Sequence, residues 1–283
     1  MEKNTTQAED FAMYIKRVML EEGNDQCWLD CYVADPVKDF TRSAILVIPG
    51  GGYGCVCSDR EGEPIGLAFM SHGYNAFVLQ YNVARTKTYP AQLIQASLAI
   101  AHIRDHAEEY GIDPDKVFVT GFSAGGHLAG SLGTMWYRQC VYDATGMAYG
   151  KNRPNGMILV YPVVTGTAEF THLGSFRNLL GKDDPTEEEL RNVSLEAAVD
   201  EKSVPLFLIH TSNDQVVDIR HALLLADAYK RAGLAFEMHI YPDAPHGIAL
   251  GNDITRCGNP KYSDPAMAKW VEHAVYWADK FGN

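Results

Sequence analysis

The chain has 283 residues, of which 46% are hydrophobic and 21% are charged, a balance typical of globular proteins. Its formal net charge of −12 at pH 7 argues against nucleic acid or an anionic membrane surface as the main partner. No segment reaches the ~20 consecutive apolar residues that span a bilayer. Residues 1–7 lack the basic and then apolar pattern of a secretory signal. We therefore expect a cytoplasmic protein.

The cysteine spacing does not indicate a metal site. Three residues lie between Cys27 and Cys31, and one residue lies between Cys55 and Cys57. Structural zinc sites need C-x-x-C pairs or cysteines paired with histidines. We predict no metal and no cofactor, and we expect all six cysteines to be reduced thiols.

Apolar runs of strand length alternate with segments of helical period. Two antiparallel edge strands are predicted first, over residues 14–20 and 28–33. Buried strands are then predicted over 44–48, 75–81, 116–120, 157–161, 205–210 and 236–241. Helices are predicted between and after them, over 63–72, 90–110, 124 to about 140, 217–232 and 265–281.

This alternation predicts the fold class. Near-continuous apolar strands suit a mostly parallel, doubly wound sheet with helices on both faces. The connections should be right-handed crossovers within a single domain over residues 1–283. Residues 164–203 form a long insertion between two core strands, with short helices that include 185–198. We expect this insertion to form a small cap.

The segment Gly121-Phe122-Ser123-Ala124-Gly125 carries the strongest chemical signal. The pattern Gly-x-Ser-x-Gly is weak alone, but here it lies directly between a predicted strand and a predicted helix. A sharp strand-to-helix reversal brings the residues two before and two after the serine close together, which favours glycine at both positions. We predict that Ser123 is a nucleophile exposed at the carboxyl edge of the sheet.

A serine hydroxyl needs a positioned base to attack at neutral pH. Of the ten histidines, His246 lies in a Pro-His-Gly loop just beyond the last predicted strand. His127 follows the serine on a helix, and His210 and His239 lie within strands, where structural roles are expected. The sequence favours His246 as the base.

The base needs a carboxylate that fixes its tautomer. Asp214 follows the 205–210 strand and should therefore lie at the same sheet edge. Asp218 is the competitor, although an aspartate at a helix start usually serves the helix dipole. We predict Asp214, and the order Ser123, Asp214, His246 is that of α/β hydrolases.

Donors for a developing oxyanion are also available. Ala124 follows the serine and can supply one backbone N–H group. The segment Pro49-Gly50-Gly51-Gly52-Tyr53 follows the 44–48 strand, and Gly51 and Gly52 are the most suitable further donors. The segment has neither G-x-G-x-x-G nor the lysine of a P-loop, so phosphate binding is not predicted.

Six motifs in order resemble those of small microbial acetyl esterases and acetylxylan esterases of the α/β-hydrolase superfamily, relatives of the hormone-sensitive-lipase-like esterases. They are Pro-Gly-Gly-Gly-Tyr at 49–53, Arg-Glu-Gly-Glu-Pro at 60–64, Tyr-Pro-Ala at 89–91, Gly-Phe-Ser-Ala-Gly-Gly-His-Leu-Ala at 121–129, His-Thr-Ser-Asn-Asp at 210–214 and Pro-His-Gly at 245–247. The resemblance implies the same triad and oxyanion donors. It also implies hydrolysis of acetyl or other short acyl esters, including esters of carbohydrates, as small-molecule substrates.

Two departures argue against long-chain lipase activity. Pro49 replaces the histidine of the usual His-Gly-Gly-Gly motif, and the segment before the core leaves little room for an N-terminal helical cap. Two alternatives stay open: an amidase or peptidase of the arylformamidase type, and a non-catalytic hydrolase fold that binds a ligand. Arg60 and Glu61 could either hold the oxyanion loop or contact the alcohol part of a substrate.

Overall fold

The computed structural model describes residues 13–281, in which eight strands form one sheet. Residues 1–7, considered above for a secretory signal, lie outside the described residues, as do both ends of the predicted domain. The strands follow the order β1-β2-β4-β3-β5-β6-β7-β8 across the sheet. Their bounds are β1 Tyr14–Met19, β2 Trp28–Val33, β3 Arg42–Ile48, β4 Tyr74–Gln80, β5 Ile112–Phe122, β6 Met157–Val160, β7 Leu206–Thr211 and β8 Phe236–Tyr241.

The six strands from β3 to β8 are mutually parallel, and β2 is antiparallel to both of its neighbours. This confirms the predicted mostly parallel, doubly wound sheet with an antiparallel edge. All residues of β6 and β7 are buried, as expected for strands that are covered by helices on both faces. The register pairs Ile48 of β3 with Gly121 of β5, so the two strands end side by side.

Ten helices connect and flank the strands. They are α1 Ser58–Glu61, α2 Glu63–Met70, α3 Ala91–Asp105, α4 Ser123–Met135, α5 Gln139–Thr145, α6 Leu173–Leu180, α7 Glu187–Val193, α8 Leu195–Ala198, α9 Arg220–Ala232 and α10 Trp270–Ala278. Two apolar cores lie on opposite faces of the sheet. Helices α3, α4 and α9 contribute to one core, and α2 and α10 contribute to the other.

The observed bounds of all the predicted helices differ from the predicted ones; the helix predicted over 90–110, for example, is Ala91–Asp105. Three further differences have a visible cause in the backbone. The helix predicted to run to about residue 140 ends at Met135, because Arg138 adopts an extended backbone conformation before α5 begins. The helix predicted over 185–198 is divided at Ser194, which is also extended. The C-terminal helix begins at Trp270 after a short 3-10 turn. The first two boundaries are each set by a single extended residue, and the third by a change from 3-10 to α-helical conformation.

The 164–203 insertion forms α6, α7 and α8 and packs beside the start of α4. The side chain of Leu195 is fully buried and lies against Gly130 of α4, leaving no room for a larger residue there. Thr186 and Glu189 form a reciprocal capping box at the start of α7. The insertion is therefore anchored to the core of the fold. Within the described range, no helix is long and apolar enough to cross a membrane.

Candidate active site

Four predicted segments come together at the carboxyl edge of the parallel strands. Ser123 follows β5, Asp214 follows β7 and His246 follows β8, while the glycine loop 50–52 follows β3. Because neighbouring parallel strands end at the same edge, residues distant in sequence meet there.

The turn at Ser123 has the tight geometry that the sequence predicts. Ser123 is the first residue of α4 and has a φ of 53°, a left-handed conformation that is unusual for a residue with a side chain. A methyl group on Gly121 would overlap the carbonyl oxygen of Gly125. One on Gly125 would overlap the carbonyl oxygens of Ile48 and Pro49. Both glycines are therefore required by close backbone contacts.

His246 lies between Ser123 and Asp214 and is hydrogen-bonded to both. Its Nδ1 is 2.7 Å from Oδ2 of Asp214, and its Nε2 is 2.9 Å from Oγ of Ser123. A carboxylate only accepts hydrogen bonds, so Nδ1 carries a proton and donates a hydrogen bond to Asp214. In the neutral ring, Nε2 then accepts the hydroxyl proton of Ser123. The structure thus brings the three predicted residues into one hydrogen-bonded row.

The surroundings of Asp214 keep its carboxyl group ionised. Burial acts to raise its pKa, but hydrogen bonds from His210 and His246 outweigh burial, and the pKa is lowered well below its usual range. The other oxygen accepts the backbone N–H groups of Val216 and Val217. The competitor Asp218 instead pairs with Arg220.

The glycine loop presents backbone amides beside Ser123. Among the described residues, the N–H groups of Gly51 and Gly52 donate no hydrogen bond. Ala124 is the second residue of α4, so its N–H has no acceptor within the helix. Gly51 has a φ of 127°, which side chains rarely tolerate. These three N–H groups therefore have no acceptor among the described residues of the chain.

The insertion contacts this loop directly. Nδ2 of Asn178 in α6 donates to the carbonyl oxygen of Gly52 at 2.9 Å. A methyl group on Gly52 would lie 3.9 Å from Cε1 of His172 and 3.8 Å from Oγ of Ser175. The predicted cap therefore forms one wall of the site.

His127 ties the glycine loop to the insertion from within the core. Its Nε2 is 2.7 Å from the carbonyl oxygen of Val193, so Nε2 donates. Its Nδ1 then accepts from the hydroxyl group of Tyr53 at 2.8 Å. Burial lowers the pKa of His127 to about 4. The histidine is neutral and structural, as its helical position suggested.

Three further residues belong to the site. The carboxylate of Glu61 accepts the N–H of Gly50 at 2.8 Å, which answers the open question of how this residue acts on the loop. Tyr161 donates to Glu61, and its ring lies 4.9 Å from the ring of His246. Burial lowers the pKa of His172, and His172 is near enough to His246 that repulsion from the protonated form of His246 lowers it further. The sequence assigned neither residue a contact with the histidine or with Glu61, because Tyr161 directly follows β6 in an apolar run and His172 lies in an irregular part of the insertion.

All six cysteines are free thiols. Cys55 and Cys57 lie in the segment after the glycine loop, with their sulfur atoms 4.0 Å apart. Among residues 13–281, no three His, Cys, Asp or Glu side chains are grouped closely enough to hold a metal ion.

A mostly parallel sheet with a serine at the turn after β5, an aspartate after β7 and a histidine after β8 defines an α/β hydrolase. The sequence model of the BD-FAE family matches residues 29–229, well over half of the chain. The chain belongs to the BD-FAE family.

Similar proteins include several named esterases. The chain is 39% identical over 218 residues to endo-1,4-beta-xylanase B of Butyrivibrio fibrisolvens, an alignment that covers 76% of this chain and 34% of the relative. It is 31% identical over 212 residues to an acetylxylan esterase of Xylanibacter ruminicola, covering 74% of this chain and 41% of the relative. The chain thus spans well under half the length of these curated relatives.

One solved structure matches over nearly its full length. It is the acetyl ester-xyloside bifunctional hydrolase from Caldicellulosiruptor lactoaceticus, with a TM-score of 0.81 and 32% identity. The alignment covers 96% of this chain and 98% of that protein. Both the sequence and structural comparisons therefore group the chain with proteins of the α/β-hydrolase fold, several of which are named esterases.

The buried, neutral His127 predicts a pH dependence of stability. Its pKa of about 4 in the folded chain lies below the value of about 6.5 for an unperturbed histidine, so the unfolded chain binds more protons between these pH values. The free energy of unfolding should therefore fall as pH decreases from 6.5 to 4, by up to about 1.4 kcal/mol per pH unit from this group. His127→Gln should reduce that slope, measured by urea unfolding at several pH values.

The exposed His72 provides the matched control. The pH slope of His127→Gln is compared with those of His72→Gln and of the wild type. An unchanged slope in His127→Gln would contradict the assignment of a neutral, buried imidazole.

Proposed function

We propose that the chain is a serine carboxylesterase that hydrolyses short-chain, acetyl-type esters through an acyl-enzyme. The observation that carries this proposal is the row Ser123–His246–Asp214, with hydrogen-bond distances of 2.9 and 2.7 Å. An oriented base beside a hydroxyl group is what activates a serine at neutral pH. The esterase names among the relatives support the same reaction.

In the first half of the reaction, Oγ of Ser123 attacks the ester carbonyl carbon while Nε2 of His246 takes the hydroxyl proton. Asp214, ionised and hydrogen-bonded to Nδ1, stabilises the resulting imidazolium. The carbonyl oxygen becomes an oxyanion that accepts hydrogen bonds from Gly51, Gly52 and Ala124. The tetrahedral intermediate collapses, His246 protonates the departing alcohol oxygen, and the acyl group remains on Ser123.

In the second half, water takes the place of the alcohol. Nε2 of His246 removes a proton from the water as the oxygen attacks the acyl carbon. The same amides hold the second oxyanion. Its collapse breaks the bond to Oγ, returns the proton to Ser123 and releases the carboxylic acid. No cofactor is needed to balance these steps.

The insertion supports a preference for short acyl groups. His172 and Ser175 lie close to Gly52, and Asn178 fixes the Gly52 carbonyl, so the space beside the proposed oxyanion donors is limited. An acetyl group needs little depth. The relative named acetylxylan esterase supports the same acyl group.

The alcohol part must lie beside His246, which protonates it. A cleft of about 660 Å³ opens there. Its walls combine polar and apolar side chains and carry the aromatic ring of Tyr262; the lining residues are Asn213, Gln215, Val216, Asp243, Ala244, Pro245, His246, Pro260, Lys261, Tyr262, Ser263 and Asp264. Hydroxyl-rich alcohols offer many donors and acceptors to such walls. This supports acetylated sugars or oligosaccharides as substrates.

Ser123→Ala should abolish turnover of p-nitrophenyl acetate, with a loss of kcat/KM of at least ~10³-fold, because the attacking oxygen is removed. The measurement is release of p-nitrophenol. Ser71→Ala, which changes an exposed serine that bonds only to the backbone, should keep full activity. Near-normal turnover by Ser123→Ala would refute the proposed mechanism.

Tyr262→Ala tests the proposed alcohol cleft. We expect kcat/KM for an acetylated xylo-oligosaccharide to fall about tenfold, equivalent to ~1.4 kcal/mol of lost contact. Turnover of p-nitrophenyl acetate, whose alcohol is small, should change far less. Tyr276→Ala, at an exposed tyrosine remote from the cleft, is the control. Equal losses on both substrates would contradict a saccharide role for this cleft.

A further inference from the structure

One buried carboxyl group in the site has no part in the triad. Glu61 is the last residue of α1 and is only 3% exposed. Isolated buried carboxylates are costly, so a buried glutamate is expected to have specific partners. Its partners belong to two different loops of the site.

The first partner is the glycine loop. Oε2 of Glu61 accepts the N–H of Gly50 at 2.8 Å. A methyl group built on Gly50 would lie 2.8 Å from that oxygen and 3.0 Å from Cβ of Ser123. The carboxylate thus lies directly behind the loop, on the side where the loop meets the nucleophile turn.

The second partner leads to the histidine loop. The hydroxyl group of Tyr161 donates to Oε1 of Glu61 at 2.9 Å and accepts the N–H of Ala249 at 3.1 Å. The ring of Tyr161 also contacts the ring of His246 edge to face, with centroids 4.9 Å apart. Tyr161 and Ala249 both have left-handed backbone angles, with φ of 38° and 53°. Such strained conformations persist only where surrounding contacts hold them.

Both oxygens of Glu61 therefore face donors, which suits the ionised form. Burial raises the pKa of Glu61, while the hydrogen bonds from Gly50 and Tyr161 and the charges of His246 and Arg60 act to lower it. The negative charge of Glu61 also acts to raise the pKa of two neighbouring groups, Cys57 and Tyr81. On balance the pKa of Glu61 is raised by burial; in its ionised form the carboxylate places a negative charge near His246.

We propose that Glu61 is a positioning residue that holds the glycine loop through Gly50 and the histidine loop through Tyr161, an inference that rests on the triad proposed above. One buried side chain thereby fixes the distance between the oxyanion donors and the base. Its charge also favours the protonated form of His246 that develops during the reaction.

Two variants test this role. Glu61→Gln keeps the size of the side chain and one acceptor but removes the charge and presents an NH₂ group to one of its two donors. Tyr161→Phe keeps the ring against His246 but removes the link to Ala249. Each should lower kcat about tenfold or more, as small misplacements of reacting groups do, with KM changed little. Glu63→Gln, at an exposed neighbour, should match the wild type.

The pH profile separates positioning from a merely structural role. Because the Glu61 carboxylate attracts the protonated His246, its removal should move the acidic limb of the kcat/KM profile to lower pH in Glu61→Gln. Tyr161→Phe keeps the Glu61 carboxyl group and its hydrogen bond from Gly50 but removes one donor to it, so its acidic limb should move less than that of Glu61→Gln. Thermal unfolding of each variant shows whether the activity loss merely follows loss of folded protein.

The outcomes distinguish this proposal from the one that it rests on. If Ser123→Ala retains activity, the triad itself is wrong. If Ser123→Ala is inactive but folded Glu61→Gln and Tyr161→Phe show wild-type kcat and an unmoved acidic limb, only the positioning role is overturned. If Glu61→Gln does not fold, Tyr161→Phe decides: a normal kcat overturns the proposal, and a lowered kcat with an unchanged melting temperature supports it.

Discussion

The site depends on one constraint, the close backbone contact between the ends of strands β3 and β5 and the start of α4. The chain reverses at Ser123 so tightly that Gly121 meets Gly125, and Gly125 meets the carbonyl oxygens of Ile48 and Pro49. No side chain fits between them. The glycine loop is therefore pressed against the start of α4, and its free amides lie beside the serine. The strained φ of Ser123 is maintained by this packing, in line with the general association of backbone strain with functional sites.

Buried polar residues then connect this contact to the outer elements. His127 joins Tyr53 in the glycine loop to Val193 in the insertion, and Glu61 joins Gly50 to Tyr161. Each of these hydrogen bonds lies in surroundings that exclude water, where an unpaired polar group would be costly. Movement of one loop would therefore break bonds in another, so the loops that surround Ser123 are held as a unit.

The mostly parallel sheet and the meeting of Ser123, Asp214 and His246 at one edge could be predicted because apolar strands alternate with helices and each residue follows its own strand. Helix ends were less predictable, since the breaks at Arg138 and Ser194 depend on single backbone angles within apolar patterns. Tyr161 and His172 gave no local signal, because their positions depend on contacts between distant segments. The roles of the triad and oxyanion residues, the single-domain boundary and the cytoplasmic location stay predictions.

In the proposed ester hydrolysis, Ser123 carries the acyl group as a covalent intermediate. Reaction with a fluorophosphonate, followed by peptide mass spectrometry and parallel assay of p-nitrophenyl acetate hydrolysis, tests it most directly. If Ser123 is the nucleophile, we expect one adduct per chain, located on Ser123 and formed at the rate at which activity disappears. Full inactivation with the adduct on another residue, or full activity with Ser123 completely labelled, would contradict it.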